Sequence, residues 1–199
     1  MNRKHYFDRK ATTWDTEVSH NPDKLEIIIN ELELSPGNKV LDVASGTGVL
    51  IPYIHNKVSD KGIIVVNDIS KKMISIAKKK YPKQKFSNLE FKVQDVMELP
   101  MFGQYEAIIC FSCFPHFPHK LKLLTHLAKG LKTRGKLIIA HAESREKINM
   151  HHKKQKNTSI SHDMLPPTDV IRVMMESANL TIEKVVDNEH MFYIIGIGS

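Results

Sequence analysis

Three carboxylates in this sequence stand where apolar runs end: Asp42 within Val40-Leu41-Asp42-Val43, Asp68 after Ile63-Ile64-Val65-Val66-Asn67, and Asp95 after a run over 88–93. Between the first two lies Ala44-Ser45-Gly46-Thr47-Gly48, whose glycines let backbone approach a ligand closely. A dinucleotide fingerprint needs a third glycine at position 51, which is Ile51, and no Gly-Lys-Ser/Thr follows for a phosphate loop. A carboxylate at Asp42 repels a pyrophosphate but holds an ammonium group, directly or through water. Asp68 is placed to receive ribose hydroxyls. Asp95 can accept from an adenine amino group while Val96 or Met97 packs on the ring. A nucleoside carrying an amino-acid tail would suit the carboxylate at Asp42.

A second concentration of chemistry is histidine. Seven of 11 fall within residues 116–162, where an even spread would place about 2.6. His116, His119, His141 and His152 are the expected catalytic set, acting as base or acceptor ligand, with Arg145 and Asn149 able to orient an acceptor. His116-x-x-His119 and His151-His152 have spacings that could reach one metal with Asp163 or Glu143. No H-E-x-x-H or paired Cys-x-x-Cys accompanies them, so no metal ligand is assigned. Cys110 and Cys113 read as a poor thiolate pair, because residues three apart on a strand face opposite sides.

Elements that could position these groups alternate along the chain. Asn21-Pro22 opens a helix with Leu25, Ile28, Ile29 and Leu32 on one face. Apolar strands are expected at 39–44, 62–68, 88–93, 105–111 and 135–141. Helices are expected at 49–57, after Ser70 (Met73, Ile74 and Ala77 inward), and through Leu121, Leu124, Leu127, Ala128 and Leu131. Near-continuous apolar strands alternating with helices predict an α/β, single-domain, doubly wound, mostly parallel sheet with helices on both faces. Thr168 should cap a helix with Val170, Val173, Met174 and Ala178 inward, and 181–186 and 190–196 should form a C-terminal antiparallel hairpin. The expected division is N-terminal cap helices over 1–35, a cofactor-binding core over 36–141, a His-rich lid over 142–165, and the final helix and hairpin over 166–199. Tyr6, Phe7 and Trp14 belong to the cap that folds over the cofactor. The lid carries Arg145, Lys147, Lys153, Lys154 and Lys156, which suits closure on an anionic small substrate.

The 199 residues fit one domain, and no apolar run approaches the ~18 residues that span a bilayer. The start lacks the apolar stretch of a secretory signal, and two cysteines suit a reducing compartment, so the cytoplasm is expected. The formal charge is +7, and five lysines lie in 78–85, read as a solvated helix end rather than a phosphate-contacting patch.

Val40-Leu41-Asp42-Val43-Ala44-Ser45-Gly46-Thr47-Gly48 resembles the first motif of the class I S-adenosylmethionine-dependent methyltransferases, the seven-stranded Rossmann-like family. Ala44 stands where that motif usually has a glycine. Asn67-Asp68-Ile69-Ser70 with Met73 resembles the segment that binds the ribose, and Gln94-Asp95-Val96-Met97-Glu98-Leu99-Pro100 the adenine segment. Residues 105–109 and 131–139 resemble the fourth strand and the entry to the fifth. The resemblance covers about residues 21–141 closely. It implies S-adenosylmethionine as cofactor, S-adenosylhomocysteine as product, and Asp42, Ala44, Ser45, Gly46, Gly48, Asp68, Ile69, Met73, Asp95, Val96, Met97 and Phe111 as the cofactor-binding set. A small-molecule acceptor, anionic in character, is expected, for a monomer or homodimer without a membrane partner. No Asn-Pro-Pro-Tyr-type run occurs and no separate recognition domain fits the length, which argues against nucleic acid. RNA, DNA or protein methylation, and cofactor binding without turnover, remain the alternatives.

Overall fold

The computed structural model describes residues 3–154 and 160–199. The chain opens with α1 (Arg3–Lys10) and a short α2 (Trp14–Glu17). In α3 (Pro22–Asn30) the Asn21 side chain accepts from the Asp23 and Lys24 N–H groups, with Pro22 in the first turn, as the spacing predicts.

The core then alternates strand and helix: β1 (Lys39–Val43), α4 (Ile51–Val58), β2 (Ile63–Asp68), α5 (Lys71–Lys80), β3 (Leu89–Val93), β4 (Tyr105–Phe111), α6 (Lys120–Ala128) and β5 (Leu131–His141). After it come α7 (Arg145–Lys154), α8 (Thr168–Ser177), β6 (Leu180–Asp187) and β7 (Phe192–Gly198). The seven strands form one sheet in the order β3-β2-β1-β4-β5-β7-β6. β1 to β5 pair in parallel, and β7 pairs antiparallel with both β5 and β6. The strand order reverses between β1 and β4, and in such sheets ligands bind beyond the carboxyl ends of the strands at that point.

Side chains alternate between two buried layers because strand residues point to opposite faces in turn. Leu41, Val43, Ile108 and Ile139 meet Leu124 and Leu127 of α6 and Ile171 and Met175 of α8. Val40, Ile64, Ile109 and Ile138 meet Ile28 of α3 and Ile54 of α4. β3 departs from the buried expectation: it is an edge strand, and Val93 is 43% exposed.

Two helical faces differ from the sequence expectation. On α8 the buried residues are Ile171 and Met175, while Val170 and Val173 are 47% and 59% exposed. The sequence is apolar at 170, 171, 173, 174 and 175, so periodicity admits two phases, and packing of α8 on α6 and β6 selects the second. Its start also differs: Pro167 holds the cap position, and the Thr168 hydroxyl donates instead to Asp187. On α6, Leu121 is 45% exposed and Leu123 takes its place inside, while Leu131 already opens β5.

Candidate active site

A pocket of about 430 Å³ sits beyond the carboxyl ends of the parallel strands. Its floor is Ala44 after β1 and Asn67, Asp68 and Ile69 at the end of β2. One wall is Gln94, Asp95, Val96 and Met97 after β3. The opposite wall is the segment after β4, including Ser112, Cys113, His116, Phe117 and His119, with Lys122 of α6. Arg3, Lys4 and Phe7 of α1 and Trp14 of α2 close it from the N-terminal side.

The glycine loop is built by local backbone and tied to β2 by Asp68. Gly46 and Gly48 have φ of +57° and +84°, where an L side chain is strained. Ala44 adopts φ +51° as well, the left-handed conformation for which glycine is the inexpensive residue. At Gly48 a Cβ would fall 2.5 Å from Ile51 Cδ1, so this glycine makes room for the chain's own helix rather than for pocket space. The Gly46 N–H donates to Asp68 Oδ2 at 2.9 Å, and the Ser70 N–H to Asp68 Oδ1 at 2.7 Å. Ser70 in turn caps α5, its Oγ accepting from the Met73 N–H at 3.2 Å, and the Met73 side chain is buried on the inward face of α5 and, contrary to expectation, does not line the pocket.

Burial pushes the Asp68 pKa up to about 6, although the two N–H donors oppose the rise. Asp42 is more extreme. It is 2% exposed, its Oδ2 has no hydrogen-bond partner, and burial together with the Asp68 charge pushes its pKa up to about 8. A buried carboxyl oxygen without a partner is expensive, and a cationic group or water brought close would relieve it.

The wall after β3 is fixed from two sides. Asp95 Oδ1 accepts from the Met97 N–H at 3.0 Å, capping the turn Val96–Glu98. His126 on α6 donates from Nε2 to the Val96 carbonyl at 3.0 Å, so this histidine braces the expected adenine segment. Asn67 Nδ2 donates to the Gln94 carbonyl at 2.9 Å, joining the end of β2 to the same wall.

The histidines separate into distinct roles. His116 lines the pocket, with Nδ1 2.9 Å from Asp163 Oδ2 and Phe7 edge-on at 5.2 Å. An ionised Asp163 only accepts, so Nδ1 is the donor of this pair. Burial would push the Asp163 carboxyl up, but hydrogen bonds from His116 and Arg3 outweigh it and hold it well below the usual carboxylate range. His152 stands 5.1 Å from His116 ring to ring and donates Nδ1–H to the Asp163 carbonyl. Burial and the neighbouring His116 lower its pKa to about 4. His141, at the end of β5, is buried behind the pocket with Nε2 unpaired, and burial lowers its pKa to about 3. His119 is an exposed member of the pocket rim.

Other expected groups serve the scaffold. Asn149 spends both amide atoms on the Leu165 backbone, and Arg145 donates to Asp187 on the hairpin at 3.0 Å. Neither is free to orient an acceptor, because the loop before α8 and the hairpin have claimed them. Among the described residues, no three His, Cys, Asp or Glu side chains gather as a metal group, and Asp163 is engaged by His116 and Arg3. Lys156 of the expected lid lies outside the described residues; much of the rest of that segment is helix α7. Cys110 and Cys113 do share one side, contrary to the strand rule: Ser112 at φ +52° turns the chain, and both thiols join the same buried cluster. Phe111 is buried against His20 rather than lining the pocket.

Sequence reasoning missed Arg3 and the pairing of Asp163 with His116, as well as Asp15, whose Oδ1 accepts from Thr47 Oγ1 at 2.5 Å. No local pattern marks them, since the Arg3–Asp163 contact spans 160 residues of chain.

The methyltransferase domain family matches the chain over residues 34–189. The chain belongs to the class I S-adenosylmethionine-dependent methyltransferases. A putative methyltransferase, 235L, of Invertebrate iridescent virus 6 is 29% identical over 145 residues, 69% of this chain and 52% of that protein. A ubiquinone/menaquinone biosynthesis C-methyltransferase of Wigglesworthia glossinidia brevipalpis is 34% identical over 107 residues, 53% of this chain and 43% of its own. The chain thus spans about half the length of these curated relatives. A SAM-dependent methyltransferase from Aquifex aeolicus shares the fold with a TM-score of 0.74 at 21% identity, covering 96% of this chain and 98% of that one. The family's methyl donor fits the residues present: the unpaired Asp42 oxygen suits its ammonium, Asp68 keeps lone pairs for ribose hydroxyls, and Val96 and Met97 offer an apolar wall.

Proposed function

We propose that this chain transfers a methyl group from S-adenosylmethionine to a small-molecule acceptor, with His116 as the base that takes the acceptor's proton. The observation that carries the reading is the His116–Asp163 pair on the pocket wall opposite the Asp95 segment. The bound cofactor supplies an electrophilic methyl on a sulfonium. The protein's task is to align a nucleophile with that methyl and to accept a proton. Asp163 fixes the imidazole with Nδ1–H toward the carboxylate, so Nε2 is the accepting atom, and it stabilises the imidazolium that forms. Asp42, whose buried Oδ2 has no partner, would hold the ammonium end and Asp68 of the pocket floor the ribose end, while Phe7 and Trp14 close the pocket against water.

Several features support a small acceptor. The pocket is closed by aromatic side chains, and Lys122 at its margin suits an acceptor that bears negative charge. Among the relatives stands a ubiquinone/menaquinone biosynthesis C-methyltransferase, a small-molecule enzyme by its name. No helix among the described residues is long and apolar enough to cross a membrane, and both cysteines are free, which suits a reducing compartment.

The test is a screen for S-adenosylhomocysteine release on incubation with S-adenosylmethionine and a panel of phenols, enols, carboxylates and amines, run beside tRNA and duplex DNA. Turnover with a small anionic compound, lost in His116→Gln while S-adenosylhomocysteine still binds, supports the reading. Turnover confined to nucleic acid, with affinity that falls steeply with salt, overturns the acceptor class.

A further inference from the structure

The charge of this chain is unevenly placed. Residues 69–89 hold seven lysines (Lys71, Lys72, the run Lys78–Lys80, Lys83 and Lys85) and no Asp, Glu or Arg. Seven positive charges equal the formal net charge of the whole protein, +7, so everything outside this segment balances to zero. The segment is helix α5 with the turn that follows it, packed on β2 and on the edge strand β3.

Local structure turns these lysines outward. Met73, Ile74 and Ala77 form the buried face of α5, and all seven lysines are exposed. Lys71 and Lys78 are seven positions apart, as are Lys72 and Lys79. Seven positions are nearly two full turns, so each pair shares a side of the helix, about 10 Å apart along its axis. The turn beyond is fixed by the Lys85 and Phe86 N–H groups, which donate to the Pro82 carbonyl at 2.9 and 3.0 Å. It adds Lys83 and Lys85 past the end of the helix.

Ion pairing separates this strip from other parts of the surface. Lys132 meets Glu106, Lys136 meets Glu33 and Glu183, and Lys184 meets Glu31. Of the seven, Lys80 alone pairs with an acid among the described residues, Asp15 at 2.7 Å. Asp8 of α1 accepts instead from Ser70 Oγ at 2.6 Å, and Glu90 of β3 pairs with Lys92 at 3.4 Å. A merely solvated face intersperses both signs, whereas six unpaired cations on one strip call for an anion from outside.

We infer that this strip docks the sugar–phosphate backbone of a nucleic-acid duplex, by charge and without reading its sequence. Interfaces between proteins are depleted of lysine and centre on large apolar or aromatic anchors, and no large apolar side chain of residues 70–92 is exposed. The same lack leaves nothing to insert into a bilayer. Tyr81 and Phe86 pack edge-on against each other at 5.3 Å, and the Phe91 ring lies 5.6 Å beneath Lys78 Nζ. No ring of the strip is therefore free to stack unpaired bases, the usual grip on a single strand. Phosphates need only the point charges that lysines supply. None of the seven lines the pocket, so docking and turnover of a small molecule are separate outcomes.

The experiment is fluorescence anisotropy of a labelled DNA duplex of about 20 base pairs and arbitrary sequence, titrated with the whole protein at several salt concentrations. The wild type is expected to bind, with affinity that falls steeply as salt rises. Lys79→Gln with Lys83→Gln and Lys85→Gln is expected to lower the affinity at least tenfold and to reduce the salt slope by roughly 2 to 3, as the loss of three phosphate contacts does. Lys129→Gln with Lys153→Gln and Lys154→Gln removes the same charge from other elements and is expected to stay within about threefold. Lys83→Gln with Lys85→Gln, outside the helix, reads the same effect at about two-thirds of its size should the triple variant fold poorly. Equal losses in the two triple variants overturn the inference, because net charge and not the strip would then be responsible. Absence of duplex binding at about 50 mM salt overturns it too, as does tighter binding of oligouridine, poly-glutamate or phosphatidylserine vesicles than of the duplex.

Discussion

The Gly46 backbone N–H donates to Asp68 Oδ2 at 2.9 Å, so the glycine loop after β1 and the carboxylate that ends β2 form one unit. The carboxylate orders the loop, and the loop N–H in return stabilises the ionised carboxylate, the form proposed to receive ribose hydroxyls. Asp68→Ala is therefore expected to weaken S-adenosylhomocysteine binding by tenfold or more, about the loss of a charged hydrogen-bond pair. Because the Asp68 pKa is raised to about 6, affinity in the wild type should also fall as pH drops through 6. Calorimetric titration at pH 7.5 and 5.5 measures both; an unchanged dissociation constant in the variant refutes the ribose role.

Asp42 has a consequence for stability. Its carboxyl stays protonated in the fold until about pH 8, whereas its ordinary value is 3.8. The native state then binds more protons than the unfolded chain between those values, so stability falls as pH rises. His141 and His152 act in the opposite direction, since their native forms resist protonation, but that contribution is complete by about pH 7. Between pH 7 and 8.5 the cofactor-free protein should lose up to about 1.4 kcal/mol per pH unit, and Asp42→Asn should flatten the slope. Denaturant unfolding at the two pH values decides it; an equally steep slope in the variant counts against a protonated Asp42.

His116→Gln should lower kcat by roughly 10²- to 10⁴-fold once an acceptor is known, the usual contribution of a positioned base. Asp163→Asn should act in the same direction, because an amide carries no charge to stabilise imidazolium. S-adenosylhomocysteine affinity should remain within about threefold in both. A variant that loses cofactor binding and turnover together would point to a structural fault instead.

The phase of α8 can be read by mutation. Ile171→Ala should cost about 2–5 kcal/mol, as buried branched side chains do when truncated. Val173→Ala, at 59% exposure, should stay within about 0.5 kcal/mol. Equal costs at the two positions would mean that the helix is rotated from the face described.

Much of the architecture was legible in residue order. The central strands β1, β2 and β4 announce themselves as apolar runs, and Asn21-Pro22 and Ser70 mark helix starts by local hydrogen bonding. The carboxylates Asp68 and Asp95 fall at strand ends because the chain leaves the sheet there, and both line the pocket. These are short-range relationships, set by residues a few positions apart, and a sequence displays them directly.

The order of residues by itself determined the alternation of strand and helix, the glycine loop, and the carboxylates at the strand ends. Tertiary structure alone decided which apolar face of α8 turns inward, that Cys110 and Cys113 share a side, and that Asn149 and Arg145 serve the scaffold. It also decided which histidine faces the pocket with a carboxylate behind it: Arg3 and His116 reach Asp163 across 160 and 47 residues of chain. Periodicity reports which faces are apolar but not what they meet, and a polar contact over such separations exists only once packing of the sheet and helices brings its partners together.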